Sequence, residues 1–120
     1  MNKFLKRAME LNDSIQCDRQ FIHQNVELGN DLPITTGYVK KRLEEMGLEP
    51  KEICKGGITA LIEGKKPGKT YLLRADMDAL PMTETNDLPF ASKTNAAGIN
   101  TYCQRKNPLL KFWNIELIQN

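Results

Sequence analysis

Apolar side chains near the start of the chain recur at spacings of three and four. Phe4, Leu5, Ala8, Met9 and Leu11 form one stripe, which Ile15, Ile22 and Val26 continue with some drift. This period predicts helix over residues 3–25. Asn12 and Asp13 are expected either to break that helix in two or to cap a second one, and Gly29 and Asn30 to end the region. Beyond Pro33, Thr35 and Thr36 offer N-caps for another helix through "TGYVKKRLEEMG". Val39, Leu43 and Met46 fall there at helical spacing, and Gly47 is a natural C′ stop.

From Gly56-Gly57 the pattern changes to β. In "ITALIEG", Ile58, Ala60 and Ile62 face one side and Leu61 the other. Lys65-Lys66-Pro67-Gly68-Lys69 reads as a turn, and "TYLLRAD" returns, so segments 58–62 and 70–75 are predicted to form an antiparallel hairpin. "YLL" is apolar on both faces, the mark of a strand inside a sheet covered on both sides. Asp76 and Asp78 lie just past its end. The final stretch has no clear period until Trp113, Ile115 and Leu117 alternate, which predicts a terminal strand over 113–119. Together these elements predict an α/β fold: two N-terminal helices packed on a mixed sheet begun by a β-hairpin.

Composition narrows the class. The chain has 120 residues, 40% hydrophobic and 27% charged, enough for one modest core. A formal net charge of +2, with the basic residues scattered, argues against nucleic acid as a partner. Lys65, Lys66 and Lys69 do cluster, but as a solvated turn tip. Three cysteines, Cys17, Cys54 and Cys103, have no paired spacing and fit a reducing compartment. With no signal-peptide pattern at the N-terminus and no apolar run of membrane-spanning length, no membrane partner and a cytoplasmic location are expected.

Four stretches, in order, carry a resemblance to a known family. "RQFIHQNVELG" (Arg19 to Gly29) is similar to an Arg-x-x-x-His-x-x-Pro-Glu-Leu signature, with Val26 in place of the Pro. "TTGYVKKRLEEMGLEP" is similar to the helix that follows it. "GGITALIEGKKPGKTYLLRADMDALPMTE" matches almost throughout, and "LPFASKTNAAG" matches the loop beyond. Over residues 10 to 98 the chain thus resembles the zinc- or manganese-dependent amidohydrolases of the aminoacylase and carboxypeptidase group. Its nearest branch is that of the N-acyl-amino-acid, hippurate and indole-acetyl-amino-acid hydrolases. The resemblance implies an incomplete α/β sandwich of a zinc-exopeptidase-like catalytic domain over residues 1–98, followed by a divergent tail, 99–120. It also implies a small N-acyl amino acid as substrate. In the intact family, metals polarise the amide carbonyl and lower the pKa of a bridging water, and a Glu takes its proton.

The chain departs from the family where the metals belong. A Cys-Gly-His-Asp motif is expected shortly after Ala97-Gly98, but the sequence reads Cys103-Gln104-Arg105-Lys106. Two cations replace the imidazole and carboxylate, and neither is a metal ligand. His23 is the one histidine in the chain, and the family's Glu-Glu pair and later histidines are missing. Either a frameshift after Gly98 or an internal deletion accounts for this tail. No zinc or manganese is therefore expected in this chain.

Asp76 and Asp78 are the candidate catalytic residues. The resemblance gives them a part in orienting a metal-bound histidine or its waters. Read alone, the pair suits an Mg²⁺ ion through oxygen ligands, or a turn cap in solvent. Arg74 is expected to pair with one of the nearby carboxylates. His23 reads as a buried hydrogen-bonding residue that anchors a helix end, and Cys103 as a free thiol. The sequence points to no substrate-binding residue. The expected function is that of a partial amidohydrolase, inactive by itself. The alternative is a non-catalytic binding or regulatory paralogue that associates with a full-length hydrolase through exposed sheet edges. A third possibility is a poorly folding product of a damaged gene.

Overall fold

Asn2 starts the first helix by accepting a hydrogen bond from Phe4 N at 2.9 Å, one of the orphan donors of a helix start. The computed structural model describes residues 2–81, 84 and 87–93, with the backbone of Asn95–Ala96 and Ile99–Asn100. Helix α1 runs Lys3–Glu10 and α2 runs Asn12–Gln24. The helical region predicted over 3–25 is thus two helices, broken at Leu11 beside Asn12 and Asp13, where a break was one of the two expectations. Neither acidic nor amide side chain caps α2; the Asn12 amide donates to Asp13 instead. The apolar stripe of α1 does not pack: Phe4, Leu5 and Met9 are exposed, and no residue of α1 is buried. Periodicity reports which side chains would favour burial, not whether a surface is there to receive them.

Helix α3 spans Pro33–Glu45, with the proline in its first turn, where its missing N–H costs nothing. Thr35 and Thr36 are not its N-caps, contrary to expectation. Thr35 is buried inside the helix, and Thr36 Oγ1 donates to Leu32 O at 2.7 Å. The cap comes from a distant side chain. Glu27 accepts from Ile34 N at 3.0 Å and from Thr35 N at 2.8 Å, one bond to each carboxylate oxygen. At the other end Gly47 takes φ +79°, with Gly47 N donating to Glu44 O and Leu48 N to Leu43 O. This is a Schellman stop. It returns Leu48 against the core.

Strand β1 (Lys51–Cys54) pairs antiparallel with β2 (Gly57–Thr59), with Lys51 opposite Thr59, through a turn in which Gly56 takes φ +77°. The hairpin thus lies earlier than predicted. Segments 58–62 and 70–75 do not form one, and residues 61–73 carry no strand. Tyr71, Leu72 and Leu73 are exposed, at 61%, 64% and 53%, where a strand buried on both faces was expected. Such a strand needs a layer on each side, and none of the described residues covers these three. A second antiparallel pair joins β3 (Asn95–Ala96) to β4 (Ile99–Asn100). A parallel contact, Leu28 with Ala79, is an isolated bridge outside these two antiparallel pairs. The predicted strand at 113–119 and the segment Cys103–Lys106 lie outside the described residues.

The architecture is mixed α/β. Its core joins Leu32, Val39 and Leu43 of the α3 region to Ile58 and Ala60 of the β2 region and to Met77, with Leu48 packed alongside. Leu43 and Ile58 are almost fully buried, each worth about 1.5–3 kcal/mol in removed apolar surface. A polar seam joins α2 to α3. Buried Asp18 accepts from Tyr38 Oη at 2.6 Å and from Arg42 Nη2 at 3.2 Å, and Tyr38 stacks on Phe21 at 4.1 Å. Burial and the bond to Asp18 push the Tyr38 hydroxyl up to about 12.

Candidate functional site

Residues 74–80 form a ribbon whose burial alternates. Ala75, Met77 and Ala79 are buried, and Arg74, Asp76, Asp78 and Leu80 are exposed. A period of two puts small and apolar side chains inward and both candidate carboxylates outward. The ribbon is fastened at its end, where Ala79 N donates to Glu27 O at 2.8 Å beside the Leu28–Ala79 bridge. Glu27 therefore does two things: its main chain holds the ribbon and its carboxylate starts α3.

Arg74 Nη2 lies 2.9 Å from Asp76 Oδ1, as the sequence suggested, with both side chains mostly in solvent. A pair this exposed contributes little stability. Asp78 is exposed, with no ion-pair or hydrogen-bond partner among the described residues.

The buried polar chemistry lies elsewhere. His23, near the C-terminal end of α2, places Nε2 2.9 Å from Glu84 Oε1, with side-chain exposures of 6% and 3%. The second Glu84 oxygen accepts from Ser92 N at 2.9 Å. Phe90 meets the His23 ring edge-on at 5.8 Å, and the Arg19 guanidinium lies 5.7 Å from the centre of the Phe90 ring. Next to His23, Gln24 O accepts from Lys93 N at 2.9 Å. Burial pushes the Glu84 carboxyl up, but Ser92 N–H and His23 outweigh it and hold the group below the ordinary glutamate value.

Three of the stretches singled out in the sequence therefore meet at one buried pair: the Arg19–Gly29 segment, the segment ending in Glu84, and the loop at 88–93. His23 does anchor the end of its helix. Glu84 was missed because nothing local distinguishes it from other acids; a lone histidine required some buried partner, but its sequence neighbours do not identify which. The structure does not bring His23 to Asp76 or Asp78, whose ribbon is held through Glu27.

The described residues do not fit a divalent metal. His23 is committed to Glu84, and among the described residues no three His, Cys, Asp or Glu side chains are grouped to hold an ion. An open groove of about 650 Å³ lies between Leu48–Lys51 and Thr59–Glu63. None of His23, Asp76, Asp78 and Glu84 lines it.

Comparison with known proteins gives the chemistry a context. The chain is 38% identical over 108 residues to thermostable carboxypeptidase 2 of Saccharolobus solfataricus, covering 85% of the chain and 28% of that protein. It is 40% identical over 90 residues to a hippurate hydrolase of Campylobacter jejuni, covering 74% of the chain and 24% of the relative. An N-acetyl-L-cysteine deacetylase of Bacillus subtilis is 42% identical over 76 residues, 62% of the chain and 18% of the relative. The chain thus spans about a quarter of the length of the curated relatives it matches. No protein-family model matches it, and no solved structure matches significantly.

Proposed function

Taking as premise that this chain is a homologue of the amidohydrolase and aminoacylase group, we propose that its residues supply part of the scaffold of such a hydrolase and not its metal chemistry. The family reaction is hydrolysis of the amide bond of N-acyl amino acids or similar small conjugates. The observation that carries the reading is the engagement of the chain's histidine. His23 is locked to Glu84 in the interior, so the one imidazole of the chain is not poised for a metal or a water. The Cys103-Gln104-Arg105-Lys106 sequence, where the resemblance asks for imidazole and carboxylate, agrees with this.

Asp76 and Asp78 are the residues through which this scaffold borders the chemistry in an intact hydrolase. Amide hydrolysis at neutral pH needs an activated water, a stabiliser for the oxyanion and a base within reach. An aspartate can supply the last alone, worth about 10²- to 10⁴-fold, against the 10⁶-fold or more that enzymes typically deliver. The unpaired cysteines Cys17 and Cys54 support a reducing, cytoplasmic setting. Exposed Tyr71, Leu72 and Leu73 favour a second reading, a non-catalytic module that associates with another protein.

The deciding assay is release of free amino acid from N-acetyl and N-benzoyl amino acids, with and without Zn²⁺ or Mn²⁺, beside an Asp78→Ala variant. Release at background in every condition is expected. Metal-dependent turnover that disappears in the variant would overturn this reading and make the chain a hydrolase in its own right.

A further inference from the structure

We draw no further inference here: the strongest candidate, the amphipathic face of α1 on which Phe4, Leu5 and Met9 are exposed beside Lys3, Lys6 and Arg7, carries none, because nothing in the structure shows what covers it in a chain that spans about a quarter of the length of its relatives.

Discussion

His23 and Glu84 stand 61 residues apart in sequence and 2.9 Å apart in the interior, Nε2 to Oε1. Both are almost fully buried, and Ser92 N–H occupies the second carboxylate oxygen. This pair, rather than either exposed aspartate, organises the polar interior, because an unmade bond is costly for a buried polar group.

Removing one partner is expected to cost more than removing both. His23→Ala or Glu84→Ala leaves a buried polar group without its partner, at a cost of about 3–5 kcal/mol. Replacing both by leucine relieves the unpaired group and is expected to cost less than either single change. Urea unfolding midpoints of the three variants measure this. A double variant as unstable as the sum of the singles would show that the two side chains act independently.

The same pair sets an acid limit. The folded carboxyl of Glu84 lies below the ordinary glutamate value, so its stabilising contribution is present above that value. The contribution is lost as pH falls through about 4.3, the unfolded value, towards the lower folded one. Acid unfolding followed by circular dichroism is expected to be less steep in Glu84→Gln, which has no proton to take up there. An unchanged acid limb would place the responsible carboxylates elsewhere.

Glu27 offers a test of a cap supplied from outside the helix. Glu27→Ala removes both acceptors from Ile34 N and Thr35 N and is expected to cost about 1–2 kcal/mol. Glu27→Gln keeps one oxygen and should lose less. Thermal melts of the two variants give the order. Equal losses would mean that the hydrogen bond Gln retains contributes nothing to the cap.

Two glycines should respond in opposite directions to alanine. A Cβ on Gly56 would lie 2.6 Å from Asn30 O, at a φ of +77°, so Gly56→Ala is expected to cost about 1–3 kcal/mol. Gly37 lies inside α3 with nothing within 4 Å of its would-be Cβ. There Gly37→Ala should add about 0.5–1 kcal/mol. Chemical denaturation of both variants reads the difference, and a Gly56→Ala chain as stable as the parent would refute the close approach.

What the sequence determined is local. Gly47 as the stop of α3 follows from glycine's tolerance of positive φ, and Val39 and Leu43 as core positions follow from the 3.6-residue period. The pairing of Arg74 with an acid two residues on is also short-range. Tertiary structure decided everything that needed a second surface. Whether Phe4, Leu5 and Met9 are buried depends on a partner for their stripe, and among the described residues they have none. Whether "YLL" sits inside a sheet depends in the same way on layers above and below it, and Leu72 stands in solvent. The partner of His23 and the cap of α3 are long-range contacts of Glu84 and Glu27. A carboxylate at either position looks in sequence like any surface acid; its role is set by the groups that the folded chain carries to within about 3 Å of it.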